Sequence, residues 1–312
     1  MNLNKNSRIY IAGHNGMVGS AIHNLLKKKK YNNIITASRK SLDLLNQKKT
    51  ENFLKKTRPN FVIIAAAKVG GILINQKNKA EFIYQNLTIQ NNLIHSSYKV
   101  GVKKLIFLGS SCIYPKLSEQ PIKEESLLKS DLEPTNEWYA VAKICGLKLC
   151  ESLKKQYNFN AISLMPTNLY GPNDNFDLKT SHVLPAMIRK FHEAKVQNMK
   201  SVVLWGSGSP MREFLHVDDL ASAIIFSLEN KMEKSLYNVG SGKDITIKNL
   251  AEKIKTIVGF KGDVVWDKTM PDGTPKKLLD VSGINAKGWN YKIELEDGIS
   301  STYNWFLSYF DI

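Results

Sequence analysis

The sequence predicts an α/β fold: a doubly wound parallel sheet with a smaller α+β part interleaved with it in the C-terminal half. Three observations predict this. Short apolar runs alternate with amphipathic stretches through the first half, the pattern of parallel strands covered by helices. The runs are almost wholly apolar, as strands buried on both faces are. A glycine-rich turn joins the first apolar run to the first amphipathic stretch, and such a turn lets a strand–helix unit bring its backbone close to a ligand.

Taken in order, the strand candidates of the first half are Arg8–Ala12, Ile34–Ala37, Phe61–Ala66, Lys104–Leu108 and Ala161–Met165. Helical patterns at Val18–Lys29, Gln47–Lys56, Glu81–Lys99 and Tyr139–Tyr157 separate them. After about Pro172 the alternation loosens. A helical Val183–Ala194 precedes an apolar Val202–Trp205, a Gly/Ser/Pro turn and the stretch Arg212–Asp219. A helical Ala221–Leu228 and a strand Leu236–Val239 follow, and from about Ile245 short helices and strands mix. The expected division is a dinucleotide-binding domain over residues 1–172, to which 214–242 return, and a second domain over 173–213 and 243–312.

At 312 residues the chain suits one large domain or two unequal ones. Its net charge of +16 comes mostly from lysines scattered along the sequence. The one dense run, Lys27 to Lys30, ends a predicted helix, where cations favour the helix dipole. A nucleic-acid partner needs a clustered basic face and is not expected, whereas an anionic small substrate fits the charge. No apolar run reaches the roughly 18–20 residues of a membrane span, since Phe61 to Ile74 is broken by Lys68 and two glycines. No signal-peptide core precedes the first strand, so a cytoplasmic location is expected. Cys112, Cys145 and Cys150 show neither metal-ligand spacing nor a disulfide framework. Cys145 and Cys150 lie in a helical stretch and read as small core residues.

The turn is Gly13-His14-Asn15-Gly16-Met17-Val18-Gly19. A strand before it and a helix after it mark a Rossmann-type phosphate cradle, in which helix N–H groups meet a pyrophosphate. The second strand ends in Ser38-Arg39-Lys40 with no acidic residue. A carboxylate there would hold the ribose hydroxyl of NAD, and an arginine accommodates the extra phosphate of NADP. Arg39 therefore points to NADP(H), the other reading being a solvated charge. Asp43 falls beside the expected adenine edge.

Tyr139 and Lys143 stand four residues apart, on one face of a helix. A cation beside a phenol lowers its pKa, and the tyrosine can then exchange a proton with a carbonyl oxygen. Ser110, in Gly109-Ser110-Ser111 at the end of the fourth strand, can donate to the same oxygen. Together with the glycine turn these residues read as nicotinamide-dependent carbonyl chemistry. Cys112 lies two residues past Ser110, where its thiol can face the same cavity, and His182 opens a later helix. Alone, the first reads as a small buried residue and the second as a helix cap. Beside a ketone-reducing site they acquire a further use. Carbons next to a ketone are acidified, and inverting one needs a base and an acid on opposite faces, tasks that suit a thiolate and an imidazole.

These residues follow the pattern of the extended, sugar-nucleotide branch of the short-chain dehydrogenase/reductase superfamily. The blocks Ala65-Ala-Ala-Lys-Val-Gly-Gly71, Gly109-Ser-Ser-Cys-Ile-Tyr-Pro-Lys116, Met165-Pro-Thr-Asn-Leu-Tyr-Gly-Pro172, Trp205-Gly-Ser-Gly-Ser-Pro210 and Pro271-Asp-Gly-Thr-Pro-Lys-Lys277 make the chain resemble the GDP-L-fucose synthase family. The resemblance runs from the first strand to the C-terminus. It implies NADPH-dependent 3,5-epimerisation and 4-reduction of GDP-4-keto-6-deoxy-D-mannose. It makes Tyr139 the proton donor at C4, with Lys143 and Ser110 beside it, Cys112 the base and His182 the acid. It sets Leu108 to Ser111, Lys143, Pro166, Thr167, Asn168, Leu169 and His182 along the cofactor, and Lys190, Trp205, Arg212, Asp272 and Lys277 around GDP and its sugar. The arginine fork of Arg212 suits a pyrophosphate on its own physics. Where the family carries a second arginine after His182, this chain has Lys190, a charge without a fork. The family also implies a homodimer through the Glu81–Lys99 and Tyr139–Tyr157 helices.

Overall fold

The computed structural model describes residues 3–270 and 272–310; Pro271, in the last of the quoted blocks, lies outside the described residues. Its first half runs β1 (Arg8–Ala12), α1 (Met17–Lys28), β2 (Asn33–Thr36), α2 (Gln47–Thr57), β3 (Phe61–Ile64), α3 (Ile72–Lys77), α4 (Lys79–Lys99), β4 (Lys104–Leu108), α5 (Glu137–Tyr157) and β5 (Ala161–Pro166). It continues through β6 (Asn168–Tyr170), α6 (Val183–Val196), β7 (Ser201–Trp205), β8 (Met211–His216), α7 (Val217–Glu229) and β9 (Leu236–Val239). The last part is β10 (Asp244–Thr246), α8 (Ile247–Val258), β11 (Asp263–Asp267), β12 (Lys276–Lys277), α9 (Ser282–Asn285) and α10 (Leu295–Tyr309).

Six strands form the main sheet in the order β2-β1-β3-β4-β5-β9, every neighbouring pair parallel. The chain starts in the interior at β1, steps outward to β2, then crosses back to β3. The connections leaving β1 and β3 therefore run to helices on opposite faces and open a crevice at the carboxyl edge of the sheet, the place where open parallel sheets bind ligands. Helices α2, α4 and α5 pack side by side, and α1 packs with α7. The strands β3, β4 and β5 are buried along their whole length, as their apolar sequences require, whereas the edge strand β2 is half-exposed.

Two apolar cores result. The larger holds the sheet, α1 and α7, and also takes Leu279, Val281, Ile284 and Trp289 from the far end of the chain. The smaller gathers Ile188, Phe191, Leu250, Ile254, Ile299 and Phe306 from α6, α8 and α10. Over it lie a sheet in the order β10-β8-β12, with β6 beside β8, and the β7–β11 pair. The elements α3, β6 and β12 were not anticipated from sequence because two to six residues are too few to show a period.

Helix α5 brings two residues of the predicted site to the sheet. Its buried stripe includes Lys143, Gly146, Leu147 and Cys150. Cys145 lies off that stripe and is exposed, which corrects the expectation of a core residue; Cys150 is buried as expected. At Gly146 a methyl group would come within 2.6 Å of the Phe107 ring and 2.8 Å of Gln90. The missing side chain lets α5 settle onto β4 and α4, and Gln90 Nε2 donates to Ala142 O at 2.5 Å across that contact. Among the described residues no helix is long and apolar enough to cross a membrane.

The two sheets are joined at Glu213 of β8, which is fully buried. Its Oε1 accepts from Gly242 N at 2.7 Å and its Oε2 from Leu279 N at 3.0 Å. Its carbonyl accepts from Thr167 Oγ1 at 3.2 Å and Asn168 Nδ2 at 2.8 Å. Burial pushes its pKa up, opposed by those backbone donors. Glu213→Gln keeps the volume but turns one acceptor into a donor facing an N–H. We expect this to cost about 2 kcal/mol, read as a lower urea midpoint at unchanged slope.

Candidate active site

The phosphate cradle is built by contact between its own glycines. Gly13 has φ +88°, and a methyl group on it would meet Ala66 N at 2.7 Å; one on Gly19 would sit 2.0 Å from Gly13 O. Gly16 N donates to Gly13 O at 3.1 Å, and nothing nearer than 3.6 Å stands over its α-carbon. Helix α1 starts at Gly16 with neither a side-chain cap nor an acidic residue in its first turn. Its leading N–H groups are thus left for an anion. The His14 Nδ1 above them is buried without a partner. This cradle fits a dinucleotide pyrophosphate. Arg39 is exposed in the turn just past β2, where Ser41 N donates to Ser38 O at 3.0 Å. Asp43 is exposed and its Oδ1 accepts from Leu45 N at 3.1 Å, so it shapes the local turn. Further along the crevice, Thr167 and Asn168 turn their side chains to Glu213 O. What they can offer a cofactor is backbone.

At the carboxyl end of β4, Ser110 has extended backbone and its Oγ accepts from Cys112 N at 3.2 Å. The same hydroxyl hydrogen-bonds the Tyr139 side chain. Lys143 is 3% exposed, and its Nζ donates to Leu108 O at 2.7 Å. It lies 4.9 Å from the Phe107 ring centre and 5.8 Å from that of Tyr139. Burial lowers its pKa to about 8. The Tyr139 phenol is pushed well above its ordinary value by burial and by the neighbouring Cys112 sulfur, with Ser110 opposing. This corrects the expectation of a lowered pKa. The lysine spends its shortest contact on a carbonyl, and the phenol is enclosed, so at neutral pH the tyrosine holds its proton.

Cys112 is half-buried, and its Sγ accepts from Asn136 Nδ2 at 3.4 Å and from Lys277 Nζ at 3.8 Å. Lys277 of β12 lies opposite Arg212 of β8, so pairing of these two strands sets one predicted substrate residue beside the other, and Lys277 meets the thiol. His182 begins α6 but does not cap it with its side chain. Packing around it lowers its pKa below 6.5, although solvent reaches it, as it does a residue lining an open cleft. The loop before it is held to the crevice by Gly71 N donating to Thr180 O at 3.2 Å. That contact gives the Val69-Gly-Gly71 block a use that sequence reasoning did not find.

On the substrate side Trp205 is 48% exposed at the end of β7. Lys190 lies 5.7 Å from its ring centre and donates to Val203 O at 3.0 Å. Lys190 is thus docked along the tryptophan. Arg212 donates to Met211 O at 2.9 Å. Burial lowers its pKa, opposed by the fields of Asp272 and Glu133. Asp272 is fixed by Ser207 N and Oγ, both at 2.7 Å. Glu133 meets Lys116 at 3.3 Å and Thr274 Oγ1 at 3.2 Å. Sequence reasoning missed Glu133 and Asn136; their one signal is proximity to the Tyr-x-x-x-Lys helix.

Comparison with known proteins agrees with this geometry. Residues 9–240 match the NAD dependent epimerase/dehydratase family. The chain is 54% identical over 303 residues to GDP-L-fucose synthase 1 of Arabidopsis thaliana, covering 97% of this chain and 94% of that protein. It superposes on a GDP-6-OMe-4-keto-L-xylo-heptose reductase from C. jejuni with a TM-score of 0.93, at 39% identity over 99% of this chain and all of the other. It superposes on a GDP-L-fucose synthetase from Naegleria fowleri bound to NADP with a TM-score of 0.92, at 29% identity over 100% and 96% of the two chains. A glycine cradle at the β1–β3 crevice, a Ser-Tyr-Lys set at the end of β4 and a family match over most of the chain lead to one conclusion: the protein belongs to the NAD dependent epimerase/dehydratase family.

Proposed function

We propose that this chain is an NADPH-dependent enzyme that epimerises GDP-4-keto-6-deoxy-D-mannose at C3 and C5 and reduces it at C4, giving GDP-L-fucose. The observation that carries this reading is the convergence of Ser110, Cys112, Tyr139 and Lys143 at one end of β4, with Lys277 reaching the sulfur from the substrate side. The 54% identity to a protein named for that product supports it.

When bound, NADPH supplies the hydride to C4. The chain's own residues do the rest. The Cys112 thiolate takes the proton from a carbon next to the ketone. Ser110 and the Tyr139 O–H donate to the enolate oxygen, stabilising charge where it develops. His182 returns a proton from the opposite face. In reduction, the phenol proton passes to the C4 oxygen, and the buried Lys143 ammonium stabilises the phenolate left behind. A tyrosine held in its protonated form suits this direction. Trp205, Arg212, Asp272 and Lys190 hold the nucleotide end, and Arg39 favours NADP(H) over NAD(H). We read residues 1–172 with 214–242 as the cofactor domain and the remainder as the substrate domain, apart from Leu279, Val281, Ile284 and Trp289, which pack into the larger core. Exposed Tyr84, Trp138 and Tyr157 on α4 and α5 support a homodimer through those helices, and we take the enzyme to be cytoplasmic.

A second reading, reduction of a GDP-linked keto-heptose without inversion, is favoured by the fold similarity to the C. jejuni reductase. Purified protein mixed with GDP-4-keto-6-deoxy-D-mannose and NADPH, followed by absorbance and by NMR of the product, separates the two. Inverted C3 and C5 with C4 reduced is expected. A reduced but uninverted sugar rejects the epimerase reading, and no oxidation rejects this substrate.

Tyr139→Phe should slow NADPH oxidation by about 10²–10⁴-fold, the worth of a positioned acid, while NADPH binding followed by fluorescence stays near wild type. Cys112→Ser should abolish solvent-deuterium incorporation at C3 and C5 without weakening NADPH binding; normal incorporation would refute its role as base. Lys143 loses its charge as pH rises through about 8, so the reduction rate should fall across that pH. In Lys143→Arg, which stays cationic, the alkaline fall should leave this window even if the plateau rate is lower. A wild-type rate that stays flat to pH 10 would show that the ammonium is not needed.

A further inference from the structure

Asn136 begins α5, a position that asparagine favours because its side-chain oxygen can accept an N–H of the first turn. Here it makes no such bond. Its carboxamide turns to Cys112 instead: Nδ2 donates to Sγ at 3.4 Å, and Oδ1 is buried with no partner. The cap has been given up for a contact with sulfur. Lys277 of β12 supplies a second donor to the same atom at 3.8 Å. The thiol's own backbone N–H is taken by Ser110 Oγ. Donors that converge on an acceptor favour its charged form. The titratable groups that meet the sulfur are Lys277 and Tyr139, and the phenol is held neutral.

We propose that Asn136 is a positioning residue for the proton-transferring sulfur: its amide fixes Cys112 Sγ in the cleft and donates to the negative charge the sulfur carries as the base. This rests on the reading of Cys112 as the base. Asn136 and Tyr139 are three residues apart, so one helix turn carries both the group that orients the sulfur and the acid that serves the ketone. Lys277, expected from resemblance to hold the nucleotide sugar, would share the task by its charge.

The test needs no sugar. Iodoacetamide alkylation of the folded, full-length protein is followed for each cysteine by mass spectrometry, with exposed Cys145 as internal reference. Only the thiolate reacts. At pH 7, Cys112 in Asn136→Leu should react about fivefold more slowly than in wild type, the worth of one such hydrogen bond. The deficit should close as the pH approaches 10, where the thiolate forms unaided. Lys277→Met should give the same shape. Equal rates at every pH overturn the proposal. So does a rate change that does not depend on pH, which would mean altered access to the sulfur. If Asn136→Leu does not fold, Asn136→Asp keeps the shape and brings a negative charge to the sulfur. It should slow the reaction at pH 7, and an unchanged or faster rate there overturns the proposal. A pH-dependent deficit with no deuterium entering the sugar would support this assignment while rejecting the sugar reading.

Discussion

The geometry of this protein depends on one buried carboxylate. Glu213 lies in the smaller sheet, yet its partners lie beyond β9 of the larger one and beyond β12, and its carbonyl holds the segment that follows β5. A fully buried acid without donors would be costly; here Gly242 N, Ser241 Oγ and Leu279 N donate to the carboxylate. The neighbouring Arg212 pairs in register with Lys277, whose Nζ meets Cys112 beyond the end of β4. A cleft between two cores needs such a fixed point, because apolar packing alone specifies position less sharply than directional bonds do.

The reacting groups are arranged by enclosure. Burial raises the pKa of Tyr139 and lowers that of Lys143 to about 8. Each shift moves its group toward the neutral form. The phenol keeps the proton it must give, and the ammonium sits near its titration point, where small changes of environment alter its charge. Desolvation also strengthens every remaining dipole in the cleft. Ser110 couples the two halves of the chemistry, since it accepts from the Cys112 backbone and bonds the Tyr139 side chain.

Close approach makes this enclosure possible. Gly146 lets α5 lie against Phe107 and Gln90, and Gly13 and Gly19 touch each other below the phosphate cradle. Interiors packed to crystal density leave no room for a methyl group at such points. The same tightness sets Lys143 Nζ on Leu108 O, 5.8 Å from the centre of the Tyr139 ring.

Periodicity and punctuation determined most of the fold from sequence alone. Apolar runs bounded by polar turns gave every main-sheet strand, and stripes of period 3.6 gave α1, α2, α4 to α7, because both signals are local. The glycine cradle, Ser110, Tyr139 and Lys143 were legible for the same reason: each motif lies within one turn or one element. What tertiary structure decided was everything that needs two distant segments at once. Cys145 and Cys150 look alike in sequence, and packing exposed one and buried the other. A Tyr-x-x-x-Lys spacing does not say whether the lysine points at the phenol or at a carbonyl on another strand. Asn136 reads as a helix cap until Cys112, 24 residues before it, is folded against it. Glu213 gives no signal at all, since its donors come from residues 167, 168, 241, 242 and 279. Local patterns set which elements form, and only the assembled chain sets which side chains meet, because meeting depends on how those elements close around one another.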